Sequence, residues 1–210
     1  VDLSSLEIGK MQFQFGNSDA VAICRNVVDT VEKIKQTSAT VLFQTSQEKM
    51  EIYTDEARLQ QLLINLLINA TKFTTEGSIT LLLEKESEEM TVFSVTDTGC
   101  GIAPEKQGQI FNRFEKLNEN AQGSGLGLSI CQLIVERFGG RIWIDPEYRM
   151  VPASCLLIQF TLPTERRQCN ETNLVNTRSF PTEFPRICRK YNRKIICGRQ
   201  SVNRTACTSA

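Results

Sequence analysis

Asp97-Thr98-Gly99-Cys100-Gly101-Ile102, followed by Gly123-Ser124-Gly125-Leu126-Gly127-Leu128, is the stretch on which the fold of this chain turns. A carboxylate on a glycine turn at a strand end can accept a hydrogen bond from an exocyclic amine, which is a directional test of a base. Glycines beside it let the backbone approach a flat ring without a Cβ in the way. The second cluster runs into Leu128-Ser129-Ile130-Cys131-Gln132-Leu133-Ile134-Val135, which reads as a helix. Free amides and the dipole at such a helix start suit an anionic phosphate. Either motif alone is an ordinary turn about as often as a site, so their order and a third element upstream carry the argument.

That third element is a helix. Thr54-Asp55 offers an N-cap, and apolar residues recur at Leu59, Leu62, Leu63, Leu66, Leu67, Ala70 and Phe73, the stripe of a helix laid on a core. Asn65, Asn69 and Lys72 fall within roughly 60° of one another along one margin of that stripe. Two amides and an ammonium at a core edge make a polar ledge. An amide oxygen is a hard ligand suited to Mg²⁺, which keeps waters and substrate phosphates as its other ligands.

With these three elements in place, the sequence resembles the sensor histidine kinases. Asn65 to Thr74 is similar to their N box, Asp97 to Ile102 to their first glycine box, Ile110-Phe111-Asn112-Arg113-Phe114 to their F box, and Gly123 to Leu128 to their second glycine box. All four stand in family order and spacing over residues 1–163. The resemblance implies the Bergerat ATP-binding fold: a two-layer α/β sandwich with a mixed, mostly antiparallel sheet, helices on one face, and a mobile lid. The hydrolysing branches of that superfamily usually carry a Glu general base where this chain has Asn65, and an amide cannot take a proton at neutral pH. Asn65 and the Phe111/Phe114 pair therefore favour the histidine-kinase branch.

Composition agrees. The chain has 210 residues, 40% hydrophobic and 23% charged, enough for one domain with a core plus an appendage. Its net charge of zero hides an asymmetry. Residues 165–210 hold ten Arg and Lys against three Glu, an excess of +7, which leaves fourteen basic and twenty-one acidic residues in 1–164. No apolar run approaches the ~20 residues of a membrane span, and no secretory leader opens the sequence. A cytoplasmic domain is expected, compatible with a membrane-anchored parent. The chain has no histidine, which removes Ser-His-Asp and Cys-His arrangements and His-containing metal sites.

The remaining layout supports the sandwich. Met11 to Phe15 alternates like a strand, Ala20 to Lys35 reads as a helix, and Val41–Phe43, Met50–Tyr53, Ile79–Leu83, Val92–Val95, Ile142–Ile144 and Leu156–Phe160 supply further strands. Gly139-Gly140 fits a helix stop. The lid is expected over 103–124. Cys24, Cys131 and Cys155 read as reduced, buried fillers, Cys100 as a small tolerated residue, and Trp143 as a core or sheet-face anchor. Pro146 to Ser154 replaces the Gly/Ser-rich turn that the family often has there. Residues 164–210, basic and without a period, read as a disordered tail; their few aromatics do not support a nucleic-acid arm.

By resemblance, Asp97 reads the adenine amine, Gly99, Gly101 and Ile102 shape the base pocket, and Phe73 abuts the adenine. Asn65, Asn69 and Lys72 form the catalytic set: Asn69 ligates Mg²⁺ with support from Asn65, and Lys72 pairs with phosphate. Arg113 swings in with the lid, and Gly123, Gly125, Leu126, Gly127 and Leu128 wrap the triphosphate. The resemblance implies an ATP-binding catalytic domain that passes the γ-phosphoryl to a His on a separate dimerisation hairpin, with a response regulator downstream. Residues 1–11 resemble the end of that hairpin's second helix, residues 12–163 form the catalytic domain, and the isolated domain is expected to be monomeric, with no nucleic acid as partner. The rivals are an anti-sigma-factor-type serine kinase and a nucleotide-sensing module without phosphoryl transfer.

Overall fold

Among the described residues, four helices and seven strands form in the order β1 (Gly16–Asp19), α1 (Ala20–Ile34), β2 (Thr40–Thr45), β3 (Glu51–Thr54), α2 (Glu56–Phe73), β4 (Ser78–Lys85), β5 (Met90–Asp97), α3 (Pro104–Gln107), α4 (Gly127–Arg137), β6 (Arg141–Ile144) and β7 (Leu156–Pro163). The structure, a computed structural model, describes residues 11–85, 87, 90–112, 125–144 and 156–163. Residues 1–10 of the hairpin remnant expected over 1–11, Arg113, Phe114, Gly123, the lid from 113 onward, the turn at 146–154, Cys155 and the tail at 164–210 lie outside the described residues.

Five strands make one sheet in the order β2-β4-β5-β7-β6, and β1 and β3 pair separately. β2 runs parallel to β4, whereas the β4–β5, β5–β7 and β6–β7 pairs are antiparallel. The helices α1, α2 and α4 lie on one another and on this sheet. Their buried stripes meet Ile79, Leu81, Leu83, Phe93 and Val95, alternate residues of the two central strands, in one core. This is the two-layer, mixed α/β sandwich that the sequence predicts.

The helix ends follow from local chemistry. Asp19 caps α1 by accepting the Val21 amide at 3.0 Å, and the same oxygen accepts the Met50 amide, so the cap also ties β1 to the start of β3. Asp55 caps α2 through the Arg58 amide at 3.0 Å. At the end of α4, the Gly139 amide reaches the Glu136 carbonyl and the Gly140 amide reaches that of Val135. Gly139 has φ 76°, the left-handed conformation that this two-bond helix stop needs.

One expected strand is displaced. Met11 to Phe15 has no regular structure, and the strand lies at Gly16–Asp19. The alternating phenylalanines are used for ring packing. Phe13 and Phe15 stack at 5.9 Å, Phe15 stacks on Tyr53 at 5.8 Å, and both meet Phe138 edge-on. Gly, Asn, Ser and Asp are poor strand formers; pairing with β3 imposes the extended backbone there.

Candidate functional site

The candidate site lies where the C-terminal end of α2, the C-terminal end of β5 and the start of α4 converge. α2 ends at Phe73 because Thr74 turns extended, with φ −120° and ψ 99°. The Cys100 amide then donates to the Phe73 carbonyl at 3.2 Å, and the Thr98 amide donates to the Ser78 carbonyl at 3.1 Å. The first bond fastens the turn after β5 to the end of α2, and the second ties it to the start of β4.

Asp97 is the last residue of β5 and is only 3% exposed. The Gly99 amide at 2.8 Å and the Thr74 hydroxyl at 3.2 Å both donate to its Oδ1. Among the described residues no hydrogen bond ends on Oδ2. Burial pushes the Asp97 carboxyl up from 3.8 to about 6, and the Gly99 and Thr74 donors pull against that rise. A carboxylate so placed is a directional acceptor, its Oδ1 held by two donors.

Gly99 is buried and indispensable to this turn. A Cβ there would stand 2.2 Å from the Phe73 carbonyl oxygen, 2.7 Å from the Thr74 hydroxyl and 2.8 Å from Asp97 Oδ1. Gly101 takes φ 68°, and Ile102 beyond it is half-buried, its carbonyl accepting from the Gln107 side chain of α3 at 3.0 Å. The described part of the expected lid is thus α3 and the turn through Asn112, with Ile110 buried beneath it.

On α2, Asn65, Asn69 and Phe73 are half-buried and Lys72 is exposed. Burial pushes the Cys131 thiol up to about 12, and Asn65 beside it pulls against that rise. Cys131 also donates to the Leu62 carbonyl at 3.8 Å, so α4 is laced to α2 one turn before the ledge. Gly127 opens α4 against Asn69, whose Nδ2 lies 3.5 Å from where a Gly127 Cβ would be. No side chain caps α4: Leu126 takes the cap position, and Gly125 before it has φ 71°. Among the described residues, the first amides of this eleven-residue helix have no side-chain cap.

The structure thus brings Asn65, Asn69, Lys72, Phe73, Asp97, Gly99, Gly101, Ile102, Gly125, Leu126, Gly127 and Leu128 to three adjoining element ends. Thr74 closes the stretch that resembles the N box, but the sequence assigns it no role. Its signal is slight: a hydroxyl residue directly after the last helical position, where only the tertiary fold shows what it faces. Cys24 and Cys131 are free and buried as expected, and Cys100 is free and exposed. Trp143 is half-buried on the sheet, with Arg141 over its ring.

The chain is similar to several known proteins. Residues 54–166 match the family described as histidine kinase-, DNA gyrase B- and HSP90-like ATPases. The adaptive-response sensory kinase SasA of Rippkaea orientalis is 34% identical over 148 residues, which are 69% of this chain and 37% of that protein. The catalytic domain of the histidine kinase ThkA, solved without nucleotide, is 29% identical with TM-score 0.63, covering 73% of this chain and all of that one. Full-length ShkA in complex with AMPPNP is 26% identical with TM-score 0.66, covering 74% of this chain and 33% of that one. The chain spans about two fifths of the length of the curated relatives it matches. On the match over residues 54–166, in a fold shared with solved histidine-kinase catalytic domains, this chain belongs to the family of histidine kinase-, DNA gyrase B- and HSP90-like ATPases.

Proposed function

We propose that this chain is the ATP-binding catalytic domain of a two-component sensor histidine kinase. It transfers the ATP γ-phosphoryl to a His supplied by a separate dimerisation hairpin, from which a response regulator then receives it. The observation that carries this reading is the pairing of buried Asp97, whose Oδ1 takes two donors while among the described residues no hydrogen bond ends on Oδ2, with a start of α4 that Leu126 does not cap and that packs on Asn69.

Asp97 accepts the adenine amine, with Gly99, Gly101, Ile102 and Phe73 around the ring. Lys72 and the α4 amides from Gly127 hold the phosphates, while Gly125, Leu126 and Leu128 shape that turn. Asn65 supports the ledge from Cys131. Arg113 and Gly123 take their roles from the family resemblance. The donor chemistry fits Mg²⁺: Asn69 carries a hard amide oxygen, suited to an ion that keeps waters and phosphates as its other ligands. Bound there, Mg²⁺ would supply charge neutralisation on the phosphates. The transfer breaks the bond between the γ-phosphorus and the β–γ bridging oxygen and forms a bond to an imidazole nitrogen. The chain's own contribution is positioning and electrostatics. With an amide at Asn65 in place of a carboxylate base, water is a poor competitor for the phosphoryl group.

No helix among the described residues is long and apolar enough to cross a membrane, which accords with a domain working in the cytoplasm. The test mixes this chain with a separate hairpin bearing a phosphoacceptor His and γ-labelled ATP. Acid-labile, base-stable phosphate on the hairpin is the expected result. Acid-stable phosphate on a partner Ser or Thr would favour a serine kinase. ATP binding without any transfer would favour a nucleotide-sensing module.

A further inference from the structure

We propose that Thr74 is the positioning residue for base recognition: its hydroxyl and the Gly99 amide together occupy Asp97 Oδ1 and so turn Oδ2 toward the base. The inference rests on the reading of Asp97 as the adenine acceptor and deepens it.

Thr74 is fully buried, although it is a hydroxyl residue at a helix end, a place usually left to solvent. Its backbone is held on its own account. The carbonyl accepts the Thr37 hydroxyl at 2.5 Å, from the loop before β2. The preceding carbonyl, of Phe73, accepts the Cys100 amide at 3.2 Å. With both neighbours fixed, the hydroxyl's orientation toward Asp97 is set by the fold. It donates to Oδ1 at 3.2 Å, on the same oxygen that takes the Gly99 amide at 2.8 Å. A carboxylate pivots about its Cβ–Cγ bond, and one donor leaves that rotation loose. Two donors from different elements, the end of α2 and the turn after β5, fix the plane of the group.

The space around the contact is closed. A Cβ on Gly99 would stand 2.7 Å from the Thr74 hydroxyl, so water has no room to replace it from that side. The two donors also favour the ionised carboxyl against its burial, and no charged group contributes to that balance. Helix termination alone does not need this hydroxyl, because its proton serves Asp97 and not the backbone of α2.

The experiment measures adenosine and inosine binding to the full chain by calorimetry across pH 5–8, for wild type, Thr74→Val, Thr74→Ser and Asp97→Asn. Inosine carries a carbonyl where adenosine carries its amine, and neither has a phosphate to titrate. Thr74→Val keeps the shape and removes the donor. It should weaken adenosine binding by about tenfold, in line with one lost hydrogen bond, narrow the preference over inosine, and move the acid limb of adenosine binding to higher pH. Thr74→Ser should restore all three. Thermal melts accompany each variant, and if the valine variant does not fold, Thr74→Ala takes its place against Thr74→Ser. Wild-type affinity and an unmoved acid limb in the folded Val or Ala variant would overturn the proposal. So would a folded Ser variant no better than Val. If Asp97→Asn abolishes the adenosine preference while Thr74→Val leaves it intact, Thr74 alone is misassigned. If Asp97→Asn keeps the preference, the reading of Asp97 itself falls.

Discussion

The two ends of the candidate site are built in opposite ways. At the base end, Asp97, Gly99 and Thr74 are buried and bonded to one another, and a methyl group on Gly99 has no place to go. At the phosphate end, Asn69, Gly125, Gly127 and Leu128 are half-buried, Lys72 is exposed, and the start of α4 lacks a capping side chain. A flat ring with fixed donors and acceptors rewards a pocket set before it arrives, because preorganised groups lose little freedom on binding. Phosphates bring charge, and a metal brings its own waters, so that end can remain wet and adjustable. On the proposed reading, the base end selects and the phosphate end accommodates.

The sharpest way to break this contrast is at the glycines. Gly99→Ala forces a Cβ within 2.2 Å of the Phe73 carbonyl. Neither partner can yield without opening the turn, so calorimetry should show ATP binding lost and a thermal melt several degrees lower. Asp97→Asn should come next. It keeps an oxygen for the Gly99 and Thr74 donors but turns an amine-accepting carboxylate into an amide, and ATP affinity should fall by roughly tenfold to a hundredfold.

The same substitution should raise stability at neutral pH. The Asp97 carboxyl is pushed up from 3.8 to about 6 in the folded chain, so the native state holds its proton where the unfolded state has lost it. Stability contributed by this group is therefore fully present below about pH 4 and declines as pH rises through 6, a loss of about 3 kcal/mol. Asp97→Asn should melt higher than wild type at pH 7, with the gain absent near pH 4. Adenosine binding should run the other way in wild type, strong above pH 6 and weakening below it as the acceptor is protonated. A flat profile would show that Oδ2 is not the recognising atom.

At the phosphate end the expected effects are smaller and more selective. Asn69→Ala should remove the gain in ATP affinity produced by added Mg²⁺ and leave adenosine binding nearly intact. An equal fall in both would make Asn69 a packing residue. Gly127→Ala should do least. Its Cβ would meet Asn69 Nδ2 at 3.5 Å, an ordinary contact, and alanine suits a helix better than glycine by up to about 1 kcal/mol. Near-wild-type binding and a slightly higher melt are expected. A large loss there would show that the phosphate end is as closely fitted as the base end.

Much of this arrangement was legible in the sequence, because periodicity and glycine spacing are local. The stripe from Leu59 to Phe73 fixes α2 and the side on which Asn65, Asn69 and Lys72 lie, and Gly139-Gly140 marks the end of α4. What local pattern cannot supply is pairing across the fold. The alternation of Met11 to Phe15 reads as a strand until Tyr53 and Phe138 are known to stand beside those rings. Thr74 reads as a helix-end residue until β5 delivers Asp97 next to it, twenty-three positions later in the chain. Nor does any spacing reveal that β2 pairs parallel to β4, which requires α2 and β3 to pass between them in sequence.

The aromatic group has a mechanical consequence. Phe13 and Phe15 bear on Phe138, the last residue before the turn that ends α4, and the other end of α4 opens at the phosphate glycines. A helix of eleven residues is a strut of about 16 Å, stiff along its axis. A displacement of the chain at residues 11–15 therefore meets the C-terminal end of that strut at Phe138, one helix length from Gly127.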